Sequence, residues 1–182
     1  MKLWSQDLYL KAWNFASNAH KGQKLPGSDI PYINHIGSVA MEVMSAIVQS
    51  GSVGNPDLAV QCALLHDTVE DTETTYEQIK TEFGKAVADG VKALSKDSNI
   101  SGKSEQMRDS LSRIKKQPEE IWMVKLADRI TNLQKPPYYW TKNKTEQYCD
   151  EAVEIHRVLA SANDFLSSRL LSKIDVYKEF IK

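Results

Sequence analysis

The chain has 182 residues, 41% of them hydrophobic, which suits one compact domain with a real core. Its formal net charge is −1 and its isoelectric point about 6.4, which argues against the broad basic face of a nucleic-acid binder. No apolar run is long enough to span a bilayer, and MKLWSQDLYLKAW lacks the uninterrupted apolar stretch of a signal peptide, so the expectation is a soluble, cytoplasmic protein without a membrane partner.

Helical periodicity dominates. Leu8, Ala12, Phe15 and Ala19 step by three or four, as one face of a helix requires. Ile36, Ala40, Val43 and Ile47 repeat the pattern, with Asn34 as their expected N-cap. Asn55-Pro56 reads as a cap and first-turn proline opening one helix through Leu58, Cys62, Leu65 and Val69. Thr75 and Gln78 form a capping box ahead of Tyr76, Ile79 and Phe83, and Gly84 separates that helix from Val87, Val91 and Leu94. Met107, Leu111 and Ile114 mark another helix. Pro118-Glu119-Glu120 then starts one that runs through IWMVKLA to Leu133. Two more run through Tyr148, Ala152, Ile155 and Leu159, and through Leu170, Ile174, Tyr177 and Ile181. No alternating strand, internal repeat or low-complexity tract interrupts them, which predicts an all-α single domain over residues 1–182. Cys62 and Cys149 match no metal or redox spacing, and Cys62 sits in an apolar stripe as a small core residue.

Three short stretches carry four candidate donors: His35 in PYINH, His66-Asp67 in LLHDTVED, and Asp128 in KLADR. Two imidazoles and two carboxylates make an N2O2 donor set for a borderline or hard divalent cation. The absence of a thiolate speaks against a structural zinc site. On a continuous helix Glu70 stacks over His66 and Asp71 over Asp67, setting two more carboxylates one turn beyond the donors. Such acids can hold a water in line and take its proton. Asp128 and Asn132 are also four apart, with Lys125 three before Asp128, so one face offers a donor, an amide and a cation. Each stretch alone has a bland explanation: a cap, a solvated face, an ion pair. Together and in this order they are hard to dismiss as coincidence.

The succession AHKGQK, PYINHIGSVA, ALLHDTVEDT, FGKAVADGVKAL and VKLADRITNL resembles the hydrolase half of the RelA/SpoT alarmone enzymes. It continues in Trp140, Lys144 and Tyr148, whose spacing is similar to that of stand-alone small alarmone hydrolases, so nearly the whole chain is covered. The resemblance implies an HD-type bundle of roughly eight to ten helices around one Mn2+ held by His35, His66, Asp67 and Asp128. It implies hydrolysis of the 3′-pyrophosphate of guanosine tetra- or pentaphosphate to GDP or GTP and pyrophosphate. Glu70 and Asp71 match the pair that activates water, and Asn132 a residue near the ribose. Lys24 matches a basic residue against the base, and Lys144 and Tyr148 match positions that bind outer phosphates. A homodimer is compatible with it. The synthetase half of the long enzymes has no counterpart, so the expectation is hydrolysis alone.

Two positions depart from the family. The basic pair expected after HxGQ is Lys24-Leu25, which removes a guanidinium that could stack on the base. Position 144 is lysine rather than arginine, a point charge without bidentate geometry. Two further readings stay open: an HD-type enzyme acting on an adenosine alarmone or on the 2′-phosphate of NADPH, and a nucleotide-binding module without turnover. Lys96, Lys103, Arg108, Lys125 and Arg129 are further candidate cations, Arg129 chiefly as a brace. His20 reads as the end of the first helix or a neighbour of the base loop, and His156 as surface or core filler.

Overall fold

The computed structural model describes residues 3–182, and all of its named elements are helical. Ten α-helical segments follow in order: α1 (Gln6–Ala19), α2 (Ile33–Ser50), α3 (Pro56–Leu65), α4 (Thr68–Asp71), α5 (Tyr76–Phe83), α6 (Lys85–Leu94), α7 (Lys103–Ile114), α8 (Glu119–Asn132), α9 (Lys142–Leu159) and α10 (Asp164–Tyr177). Among the described residues there is no strand, only an isolated antiparallel bridge between Lys24 and Pro31.

Two helices form the centre. Every residue of α3 from Leu58 to Leu65 is buried, and α8 is buried from Ile121 to Ile130 except Trp122. A helix apolar on all sides has no solvent face and must be surrounded. Helix α3 accordingly packs against α1, α2, α6 and α8, and α8 against α2, α3, α9 and α10. Gly90 makes the approach of α6 to this centre possible: a Cβ there would stand 2.6 Å from Ile121 Cδ1 and 2.9 Å from Cys62 Sγ. Both cysteines are free and buried.

Start signals in the sequence act locally. Asn55 Oδ1 accepts from the Leu58 amide at 3.1 Å with Pro56 in the first turn. The Thr75–Gln78 capping box is complete, and Thr141 and Asn163 cap α9 and α10. Such caps each stabilise a helix by about 1 kcal/mol.

The structure corrects four boundaries. Helix α2 begins at Ile33, so Asn34 is not its cap; its amide instead donates to the Pro31 carbonyl at 3.0 Å. Pro118 precedes α8 rather than occupying its first turn. The last helix ends at Tyr177, and a 3-10 turn over Lys178–Phe180 follows. The fourth bears on the site: the expected single helix through Val69 breaks at His66-Asp67. There His66 Nδ1 takes the Ala63 carbonyl at 2.8 Å and the Thr68 hydroxyl takes the Leu65 carbonyl at 2.7 Å. Side chains that capture main-chain acceptors compete with the helical ladder. The short helix α4 then restarts, and the Asp71 amide donates to the Asp67 carbonyl at 2.9 Å.

Candidate active site

The break after α3 sets His66 and Asp67 at the end of the most buried helix. His35, in the first turn of α2, and Asp128, near the end of α8, meet them there. The donor atoms of His35, His66 and Asp128 all lie within 4.8 Å of one another. The two Nε2 atoms are 3.3 Å apart, and Asp128 Oδ1 stands 3.5 Å from His35 Nε2 and 3.8 Å from His66 Nε2. Asp67 lies beside this group, its Oδ2 2.9 Å from His66 Nε2 and 3.6 Å from His35 Nε2.

The hydrogen bonds fix which ring nitrogens face inward. His66 Nδ1 donates to the Ala63 carbonyl. The Thr131 hydroxyl donates to the Asp128 carbonyl at 2.9 Å, so its oxygen is free to accept from His35 Nδ1 at 3.3 Å. Both Nε2 atoms are therefore left to present lone pairs to the same point. Two lone pairs at that separation repel unless positive charge lies between them. Divalent-cation bonds of about 2.1 Å hold neighbouring donors about 3.0–3.4 Å apart, so the donor set fits such an ion.

Asp128 is held from both sides, by Lys125 Nζ at 2.9 Å on Oδ2 and by the Asn132 amide at 2.5 Å on Oδ1. Burial alone would raise its pKa; Lys125 and the imidazoles outweigh that and hold it well below the ordinary carboxylate range. Asp67 is likewise depressed, His66 overcoming burial. Burial also opposes a charge on His35, but Asp128 and Asp67 raise its pKa to about 9.

The two further acids differ. Glu70 accepts from the Lys96 amide and from Lys96 Nζ, each at 2.8 Å. Asp71 has its pKa raised, first by burial and then by Asp67 and Glu70.

Two cavities flank the cluster and share Asn132, Trp140 and Tyr148. One, of about 680 Å³, holds Asp67, Glu70, Asp71 and Asp128 and is ringed by Lys96, Lys103, Lys125, Arg129 and Lys144. The other, of about 610 Å³, runs from His35 past Leu25, Pro26, Ile30 and Pro137. Beside it the turn after Leu25 lies near Pro137 and Tyr139 and passes through Gly27 at φ +74°, a conformation that L side chains rarely adopt. Tyr148 stands between the cavities, under the Arg129 guanidinium at 4.0 Å and edge-on to Trp140 at 5.1 Å. Lys144 Nζ lies 4.2 Å over the Trp140 ring.

Most residues singled out from the sequence thus line one cleft. Lys24 does not: its Nζ pairs with Asp29 at 2.5 Å, and Leu25 faces the apolar cavity instead. Arg108 also lies outside, paired with Glu105 at 3.2 Å. Arg129 braces α9 through Glu151 at 3.2 Å. Two further side chains support the donors without standing out in the sequence: Tyr32, whose hydroxyl donates to Asp67 Oδ2 at 2.6 Å, and Thr131 behind His35. Their signal was spacing: each lies three residues from a donor, in PYINH and in DRIT.

The HD_4 model of the HD domain matches residues 12–165. The chain belongs to the HD domain family. Among relatives of this HD domain, the guanosine-3′,5′-bis(diphosphate) 3′-pyrophosphohydrolase MESH1 of Xenopus tropicalis is 36% identical over 169 residues, covering 90% of both chains. The human protein of that name is 31% identical over 88% of this chain and 89% of its own. In fold, the HD domain is similar to a solved metazoan ortholog of SpoT, described as hydrolysing ppGpp, with a TM-score of 0.81 at 23% identity over all of both chains. A Listeria monocytogenes structure, lmo0812, aligns with a TM-score of 0.62 at 22% identity over 81% of this chain and 99% of its own. Among the described residues, no helix of this HD domain is long and apolar enough to cross a membrane.

Proposed function

We propose that this HD domain is a metal-dependent 3′-pyrophosphohydrolase of guanosine tetra- and pentaphosphate, working in the cytoplasm as one domain across the chain. One observation carries the reading: two inward-facing imidazole lone pairs and two carboxylates meet between a cavity with an apolar wall of Leu25, Pro26, Ile30 and Pro137 and one whose carboxylates are ringed by five cations. A nucleotide phosphorylated at the 3′ position has the same asymmetry, an apolar base at one end and clustered negative charge at the other. The named activity of the MESH1 relatives agrees with it.

In this reading His35, His66, Asp67 and Asp128 hold the cation, and Mn2+ suits their nitrogen and oxygen donors. When bound, such an ion polarises a phosphoryl oxygen and makes water more acidic. Everything else falls to side chains. Lys96, Lys125 and Lys144 gather the 3′-diphosphate by charge. The apolar cavity receives the base against Leu25, and Asn132 and Tyr148 bracket the ribose between the two cavities. Glu70 and Asp71 orient a water toward the phosphorus joined to the 3′ oxygen. The new oxygen–phosphorus bond forms as the bond to the 3′ oxygen breaks. A carboxylate takes the water's proton, the 3′ oxygen is protonated, and pyrophosphate leaves.

Product analysis tests this. Guanosine tetraphosphate with Mn2+ should give GDP and pyrophosphate in equal amounts; release of orthophosphate alone would overturn the assigned bond cleavage. Leu25 favours one second reading, because an apolar contact discriminates guanine poorly from adenine. A panel including an adenosine alarmone and NADPH decides between them by relative kcat/KM.

A further inference from the structure

One buried histidine has no part in the chemistry above. His20 follows the last residue of α1 and is only 3% exposed. Its Nδ1 lies 2.6 Å from Gln23 Oε1, and its Nε2 has no hydrogen-bond partner among the described residues. A buried polar atom left unpaired is destabilising, so bulk packing is a poor reason to keep a histidine here. Its ring is set against Tyr32, with centroids 5.0 Å apart and planes 34° from parallel. The Tyr32 amide donates to the Gln23 carbonyl at 2.9 Å, so main chain and side chain of one short turn grip both rings.

Tyr32 ends on the metal cluster. Its hydroxyl donates to Asp67 Oδ2, the oxygen that faces both imidazoles. The other donors have their own supports: the Ala63 carbonyl for His66, Thr131 for His35, and Lys125 with Asn132 for Asp128. Asp67 sits in the break between α3 and α4, where its side chain makes no cap bond. Apart from the two imidazoles, Tyr32 is the one side chain among the described residues that fixes its rotation.

We propose that His20, acting through Tyr32, is a positioning residue for Asp67. The His20 ring limits how Tyr32 can turn, and the Tyr32 hydroxyl keeps Oδ2 aimed at the shared centre. The turn that carries Leu25 is thereby tied to one donor of the cluster. This rests on the metal-dependent reading, and the test separates the two.

The experiment is calorimetric titration of the metal-free protein with Mn2+ alone, beside its melting temperature without metal. Tyr32→Phe removes only the hydroxyl and should still melt cooperatively, with at most a small fall in temperature for the lost hydrogen bond, while weakening Mn2+ binding about ten- to a hundred-fold, as loss of a support behind a donor does. His20→Leu should weaken binding less, in the same direction. The double variant should bind no more weakly than Tyr32→Phe, because His20 has nothing to act through once the hydroxyl is gone. His20→Asn, which keeps a polar group toward Gln23, takes the place of His20→Leu if that variant does not fold. Undiminished Mn2+ affinity in Tyr32→Phe, or losses that add in the double variant, would overturn the proposal and leave the metal-dependent reading standing. Failure of the wild-type protein to bind Mn2+ would overturn both.

Discussion

His35 Nε2 and His66 Nε2 face each other across 3.3 Å, and neither ring is free to turn away, because each Nδ1 is engaged by an oxygen of another residue. Without a cation, only a proton can relieve that opposition. The carboxylates of Asp128 and Asp67 favour that proton: they prevail over burial and raise the His35 pKa to about 9.

A pH dependence follows for the metal-free protein. The folded-state pKa of His35 lies above its ordinary value of 6.5, so the folded chain holds the extra proton between the two. The stability from this group is full below 6.5 and is lost as pH rises through about 9. Melting in EDTA should therefore occur at falling temperature across that window. Mn2+ must displace the same proton, so its affinity should rise with pH and its binding near neutrality should release protons to the buffer. Calorimetry in buffers of different ionisation enthalpy reads this directly, and heat independent of buffer would count against it.

His66→Ala should abolish metal binding and hydrolysis together. It removes one of two imidazoles and leaves Asp67 and Asp128 facing each other with less to neutralise them. Metal content after dialysis, measured alongside turnover, checks the coupling. A variant that kept its metal but lost activity would assign His66 a different role.

Glu70→Ala should separate the two properties. Glu70 is bound to Lys96 and hydrogen-bonds none of the four donors, so Mn2+ affinity should hold. Turnover should drop by about 10²–10⁴-fold if this carboxylate handles the water's proton. An unchanged rate would move that task to Asp71.

Leu25→Arg should return a planar cation to the apolar cavity. Stacking on a base contributes about 0.5–1 kcal/mol at an exposed site, so KM for guanosine tetraphosphate should fall about two- to five-fold with kcat unaltered. Steady-state kinetics on both base types would show whether position 25 governs affinity alone or choice of base as well.

Gly90→Ala should destabilise without touching chemistry. The new methyl would collide with Ile121 and Cys62, and overfilling a close-packed interior costs about 1–3 kcal/mol. The denaturation midpoint should fall while Mn2+ affinity of the folded protein stays at the wild-type value.

The helices were legible because periodicity and caps are local: the Thr75–Gln78 box and the Asn55-Pro56 start act in the structure as their sequence suggests. The clustering of HD, PYINH and KLADR was legible because donors of the right types are rare together. What escaped were features set by competition or by distance. The break at His66-Asp67 arises because His66 and Thr68 bond to carbonyls a helix would use, a contest that an apolar pattern does not record. Lys24 pairs with Asp29, five residues on, and lines neither cavity, a local ion pair that the spacing of motifs does not record. The Tyr32–Asp67 bond joins residues 35 apart, so the spacing of Tyr32 from His35 marks the residue but not its partner.

The cluster's donors come from the start of α2, the end of α3 and the end of α8, with its two histidines 31 residues apart in sequence. An ion gripped there would act as a rivet fastening α2 to the two helices at the bundle's centre. Occupied at a hundred times its dissociation constant, such a rivet adds about 2.7 kcal/mol to the folded state. Metal starvation would then reach this protein twice, once by silencing the cleft and once by loosening the scaffold around it.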